Sequence, residues 1–495
     1  MISLKTISLS SCRLTGTIPL IQGLCELKHL QELDISFNSF TETEVEDMTP
    51  KFQLKTLYLS GHGYGGAFPK FLYHQQELKK VDLSNIILKE SFQGGIPMQI
   101  GAYFPRLIDL RMSRNGFSHS IPSSFGNMSS LEGLDLFNNQ LSGSIPSSFG
   151  SMRSLYDLDL SNNQFSGSIP SSFGNMSLLT YLDLSNNHFS GSIPSSFENM
   201  RSLKYLHLSY NRLCGQVLSE VATLKWLKWL DLNGNLISGT IPASLSNFTS
   251  LEVLDVSNNN ISGKIPNWIG NMSSLIILDL SKNDISGSLP SNFGLSMIAQ
   301  IYLSRNRIQG SLKNAFFISS YSLTVLDLSH NHMTGSIPSW IGELFQLGYL
   351  LLSNNNFEGE IPVQLCNLNH LSVLDLSHNK LSGIIPLEFG KLSEIKLLNL
   401  SYNSLIGSIP TTFSDLSQIE SLDLSSNKLQ GSIPIELIKL YFLAVFNVSY
   451  NNLSGRIPVG VAQFGTFGES SYLGNPFLHG CPLPKDCKAR EPPPI

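Results

Sequence analysis

LYDLDLSNNQFSGSIP, running from Leu155 to Pro170, holds leucine at 155, 158 and 160, asparagine at 163, glycine at 167 and an Ile-Pro pair at 169 and 170. The alternation across Leu158 and Leu160 predicts a short strand with both leucines inward, the period-two pattern of a half-buried strand. Asn163 follows where the chain turns away. Its amide both donates and accepts, and so suits backbone groups of adjoining coils that would otherwise stay unpaired at a cost of about 1–3 kcal/mol each. Gly167 permits a positive φ or a close approach at the next bend. Pro170 holds φ without offering a donor.

Outward from this stretch the same pattern returns on both sides. Asn115, Asn139, Asn163, Asn187, Asn211, Asn235, Asn259, Asn283, Asn306, Asn331, Asn355, Asn379, Asn403, Asn427 and Asn451 recur at 24-residue steps, apart from one of 23 and one of 25 beside Asn306. Such a period means stacked copies of one small unit. A length of 495 residues would ordinarily imply about three domains, but stacked units let one elongated body run the whole length. Weaker units extend back to Cys12, Asn38, His62 and Ile86, giving nineteen units, with LKESFQGG inserted after Ile86. The strands are expected to pair in parallel about 4.8 Å apart, and segments such as PSSFGNMSSL to return over the far side as a short helix or 3₁₀ turn. The organisation reads as irregular repeats over 1–110, regular 24-residue repeats over 111–460, a cap over 461–487 where the period is lost, and a Pro-rich tail over 488–495.

Charged residues make up 14% of the chain with a net charge of −5, against about 25% charged in typical soluble domains. Such a balance gives no long-range pull toward phosphate backbones, and nucleic acid is excluded as an expected partner. No stretch reaches 18 apolar residues, the minimum for a spanning helix. Of six cysteines, Cys481 and Cys487 in CPLPKDC look like a pair stapling the last coil, an entropic gain of about 2–3 kcal/mol; the alternative is two free thiols. Cys25 and Cys366 share one slot and read as buried apolar thiols. No C-x-x-C pair supports a metal or redox site, so no cofactor or metal is expected.

Catalytic signatures are absent: there is no G-x-S-x-G, H-E-x-x-H or kinase set. GHGYGG, Gly61 to Gly66, matches a phosphate-loop string, but it overlays a repeat turn instead of opening a helix after a strand. The aspartates at 135, 159, 183, 231, 255, 279, 327, 375 and 423 form a file of carboxylates that reads as a repeat-consensus position. His188, His330 and His378 fall in turns and read as solvated. The chain is not expected to be an enzyme.

Variable strand positions carry more information. One lane reads Gly133, Asp157, Tyr181, Tyr205, Trp229, Val253, Ile277, which sets three aromatics side by side with His207 beside them. Large rings at low entropy cost suit recognition surfaces. Lys282 and Arg305 occupy equivalent slots before the ladder asparagine, as a basic pair for an acidic group. The competing reading is scattered exposed aromatics on a sheet. Asn127, Asn175, Asn247 and Asn271, each in N-x-S/T sequence and each 12 residues before a ladder asparagine, are candidate glycosylation sites on one face. Asn260, Asn399, Asn447 and Asn452 also match but fall in or near strands.

The unit LDLSNNxxSGSIP resembles the plant-specific extracellular class of leucine-rich repeats. The ending, from FNVSYNNLSGRIP through ESSYLGNPFLHGCPLPKDC, is similar to the last repeat and cysteine cap of plant receptor-like proteins, the kinase-less relatives of receptor kinases. This resemblance implies an α/β repeat solenoid, a right-handed superhelix with a parallel β-sheet on its concave face. It also implies an extracellular ectodomain that senses a peptide or a pathogen- or cell-wall-derived molecule, such as an oligosaccharide, and signals through a partner receptor kinase docked near the last repeats. Family members usually add a signal peptide, an N-terminal cysteine cap, a transmembrane helix and a non-repeat island, none of which this chain carries. The expectation is a fragment of a membrane-anchored parent. Competing readings are a soluble wall-located inhibitor of a secreted enzyme and a truncated, non-secreted decoy.

Overall fold

The computed structural model describes residues 4–17, 24, 26–41, 50–61, 70–86, 95–216, 223–291, 297–315, 322–458 and 462–483. Two units, Met1–Asn260 and Ile261–Ile495, make up the chain. In the first, three-residue strands from Thr6–Ser8 through Asp157–Asp159, Tyr181–Asp183, Tyr205–His207 and Trp229–Asp231 to Val253–Asp255 pair in parallel, each with the next coil. In the second, Ile277–Asp279 through Val445–Asn447 do the same. The strand expected at Leu158–Leu160 is Asp157–Asp159, one residue earlier, and Leu158 and Leu160 are both fully buried.

The ladder asparagine bonds as its position predicts. Asn163 donates from Nδ2 to the carbonyls of Leu136 (3.0 Å), Leu160 (3.2 Å) and Ser161 (3.1 Å), while its Oδ1 accepts from the Leu141 amide at 3.0 Å. Leu136 and Leu141 belong to the preceding coil, so each rung stitches two coils through groups shielded from water. The residue before each rung is left-handed, as at Asn162 (φ 53°) and Asn186 (φ 52°), a region that short amide side chains tolerate.

Beyond the asparagine the structure adds a feature not expected from the pattern. Gln164–Ser168 is itself a strand, part of a second parallel sheet that in the first unit includes Gln140–Gly143, His188–Gly191, Arg212–Gln216 and Leu236–Thr240. Gly167 lies in that strand at φ +80°. Pro170 then opens a 3₁₀ helix, Ser171–Asn175, from extended backbone. Phe173 is buried there, with its ring stacked on Phe149 at 6.4 Å and Phe149 in turn tilted against Phe125 at 5.7 Å. Coils approach closely along this row: a Cβ on Gly174 would lie 2.3 Å from the Ser196 carbonyl oxygen.

The period does not end where the sequence suggested. Asn475 is a further rung, accepting from the Leu453 amide at 3.0 Å and donating to Val448 O (3.0 Å) and Tyr472 O (2.9 Å). Phe477–His479 pairs with Asn452–Arg456. Proline-rich turns and aromatics hide this coil because Tyr472 and the rings of Phe464 and Phe467, which gather on Phe446, fill positions that leucines hold elsewhere. Cys481 is disulfide-bonded. Cys487 lies outside the described residues, as do Cys25, His62 to Gly66 of GHGYGG, residues 88–94 of the insert and the 488–495 tail. Cys366 is half-buried, correcting the buried reading: it follows the inward Leu365 in the 3₁₀ helix Val363–Asn367 and turns partly outward.

Candidate functional site

The strand face opposite the leucines carries the candidate site of the first unit. Tyr181, Tyr205 and Trp229 are in register on adjacent strands, since equal phase in coils of equal length leaves no other pairing. Ring centroids of Tyr181 and Tyr205 stand 6.2 Å apart. His207 lies 5.6 Å from both Tyr181 and Trp229, and its Nδ1 is 3.9 Å from Asp231 Oδ2. These four rings form one continuous strip. Trp229 is 38% exposed; the two tyrosines and His207 are half-buried.

Beside the strip, the lane drops at Gly133. Asp109 and Asp157 flank it in register, and the missing side chain leaves a cavity of about 310 Å³ lined by Asp109, Arg111, Gly133, Asp157, Asp159 and Tyr181 among others. Arg111 stands 3.5 Å from Asp109, whose charge raises its pKa. Burial first, and then Asp135, raises the Asp157 carboxyl. Asp159 is pushed up to about 6 by burial, against the bonds it receives from Ser161 and with Asp183 and Asp135 adding to the rise. Burial, reinforced by Asp183 and Asp159, holds the Tyr181 hydroxyl far above its usual range; it remains a donor, to Asp183 Oδ2 at 3.3 Å. This cavity was not singled out from the sequence, although a glycine in a lane of large residues is a readable signal.

The aspartate file has a structural task. Asp159 Oδ1 accepts from the Ser161 amide (2.9 Å) and hydroxyl (2.6 Å), and Asp255 does the same for Ser257. Asn399 and Asn447 replace the carboxylate in later coils with the same bonds to Ser401 and Ser449, so these bonds draw on an acceptor oxygen and not on a charge. Among the described residues no group of three or more His, Cys, Asp or Glu could hold a metal ion.

Lys282 and Arg305 lie in the second unit. Both are exposed and both occupy the left-handed position before the rung, at φ 51° and 55°. Arg307 pairs with Asp284 at 2.9 Å. His330, in the same column, has its pKa lowered by burial and by Arg305, and His378 stacks on Tyr402 at 4.1 Å. Asn127, Asn175, Asn247 and Asn271 are each the exposed last residue of a 3₁₀ helix.

Models described as "Leucine rich repeat" match residues 105–165, 154–213, 225–285 and 249–308, with a further one at 3–24, and a "Leucine-rich repeat region" matches 304–463. The chain is 32% identical to the plant peptide hormone receptor RGFR1, solved in complex with RGF2, with a TM-score of 0.88 over 96% of this chain and 74% of that one. A TDR receptor gives 32% identity and a TM-score of 0.81 over 95% and 84%. Arabidopsis HAESA, solved with the peptide hormone IDA and the co-receptor SERK1, gives 33% and 0.64 over 96% and 91%. Among curated proteins, Receptor-like protein 14 of Arabidopsis thaliana is 34% identical over 136 residues, 27% of this chain, and Receptor-like protein EIX1 of Solanum lycopersicum is 34% identical over 123 residues, 25% of it. The matched stretches span 11% of each of those two relatives. A repeat stack held by parallel strand ladders and asparagine rungs is the leucine-rich repeat class. Within it, this chain belongs to the plant leucine-rich repeat receptor-like proteins.

Proposed function

We propose that the chain is the extracellular ligand-recognition region of a receptor-like protein, and that it binds an extended peptide across the strands of the first unit instead of catalysing a reaction. The carrying observation is the strip Tyr181, Tyr205, His207 and Trp229. Two rung spacings of about 4.8 Å separate its ends, which about three extended residues would cross. Rings already fixed by their neighbours lose little entropy on binding. Lys282 and Arg305 offer the second unit a basic pair for an acidic group. Exposed Tyr441, Phe442, Val445 and Tyr450 in the last repeats suit a docking surface for a kinase-bearing partner, through which the signal would pass. No helix of the described residues is long and apolar enough to cross a membrane.

The test is selection from a random dodecapeptide library displayed on phage, followed by titration of the recovered peptides. Tyr205→Ala and Trp229→Ala should each weaken binding at least tenfold, the loss of about 1.4 kcal/mol. Unchanged affinity in both variants would reject this reading.

A further inference from the structure

Outside the ring strip, where each chain segment enters its strand, two successive coils of the first unit gather positive charge. Arg201 and Lys225 hold one position in neighbouring coils, and Lys204 and Lys228 another. The amides of Lys228 (2.8 Å) and Trp229 (3.1 Å) both donate to the Lys204 carbonyl, which fixes these two coils side by side. Arg201, Lys204 and Lys225 are exposed and take no ion-pair partner among the described residues. Lys228 Nζ is 2.6 Å from Glu252 Oε1, a half-exposed pair of the kind that contributes little. Between them Trp226 is 64% exposed, an indole that a monomer gains nothing by displaying.

Further back the lane carries acidic side chains, among them Asp109 with its partner Arg111, and the aspartate file runs on past the basic coils through Asp231 and Asp255. Asp109 and Asp157 flank Gly133, four rung spacings or about 19 Å from Trp229. Asp157 is itself two rung spacings, about 10 Å, from the Lys204 coil, just beyond the Debye length of about 8 Å at physiological salt. An acidic segment is attracted at the Lys204 end and repelled at the Gly133 end.

Resting on the reading that the strip binds a peptide, we infer that the ligand carries an acidic segment, with aspartate or glutamate side chains, beside the part that covers the rings. Arg201, Lys204, Lys225 and Lys228 receive its carboxylates while Trp226 and Trp229 cover its backbone and aliphatic stems. Ammonium and guanidinium groups at the rim steer encounter and set orientation. The indoles supply the contact area.

The same phage selection decides it. Peptides recovered on the parent chain should be enriched in Asp and Glu, and their affinity should fall at least tenfold between 50 and 200 mM NaCl. The double variant Lys204→Glu, Lys225→Glu changes exposed groups only, and its thermal unfolding should match the parent; it should reverse the enrichment toward Lys and Arg. Recovered peptides that need Tyr205 and Trp229 but show no acidic excess, or the same peptide set on the charge-reversed variant, would overturn the inference and leave the peptide-binding reading standing. Displacement of the peptides by equimolar trigalacturonate would also overturn it, by making the edge a site for uronic acids.

Discussion

The ring of Tyr450 lies over Gly474, so close that a Cβ on the glycine would stand 2.6 Å from Tyr450 Cδ1. Both residues occupy the left-handed position before a rung, one coil apart, at φ 55° and 72°. Tyr210 and Gly234 repeat the arrangement at 3.0 Å, and Phe37 and Gly61 at 2.5 Å. At these three positions a large ring is accommodated by the absence of a side chain in the next coil; Tyr402, in the same column, instead stacks on His378 of the preceding coil.

Gly474→Ala should therefore destabilise the C-terminal coil through both strain and clash, by about 1–3 kcal/mol. Tyr450→Ala in the same chain should recover the part due to the clash. Denaturant titration of the four chains of the double-mutant cycle measures the coupling; strictly additive effects would remove the ring from the account.

Asn187 contacts three carbonyls, of Leu160, Leu184 and Ser185, and accepts from the Phe165 amide. Asn187→Ala should cost about 2–4 kcal/mol, since several buried groups lose their partner at about 1–3 kcal/mol each before local relaxation. In a stack stabilised only by neighbours, a break in mid-array should also split the unfolding transition. A single transition with the parent midpoint would show the rung to be dispensable.

Asp159 titrates near 6 in the folded chain against an ordinary 3.8. A raised carboxyl binds its proton more tightly folded than unfolded, so its effect on stability is most favourable below the ordinary value and declines as pH rises through the folded one. Asp159→Asn keeps the acceptor for Ser161, as Asn399 does for Ser401. It should flatten the decline in unfolding free energy between pH 3.8 and about 6, measured by urea titration across that range. An identical slope in parent and variant would contradict the assignment.

Glycan occupancy should follow structure and not the sequon alone. After expression in a secretory host, peptide mass spectrometry should find glycan at Asn127, Asn175, Asn247 and Asn271, all exposed on 3₁₀ helices. Asn399 and Asn447 should stay bare, because both are half-buried at the end of core strands and the Nδ2 of Asn447, where a glycan would attach, donates to Asp423 Oδ2.

The candidate site was readable in part. Tyr181, Tyr205 and Trp229 could be aligned from phase alone, because a constant coil length makes register a matter of counting. The charged edge follows from the same counting, since Arg201 and Lys225, like Lys204 and Lys228, are 24 residues apart; the structure added that Arg201, Lys204 and Lys225 are exposed. The cavity over Gly133 needed its walls, Asp109 and Asp157, before an absent side chain became a space.

The 24-residue period, with leucine, asparagine and Ile-Pro at constant phase, was enough to specify stacked coils, inward leucines and asparagine rungs, because each of these depends on bonds within one coil or to the next. Only the folded chain revealed the second sheet at Gln164–Ser168 and the rings laid over Gly234 and Gly474. Those features arise where side chains from different coils meet, and a contact between coils is a property of their packing, with no signature inside either coil.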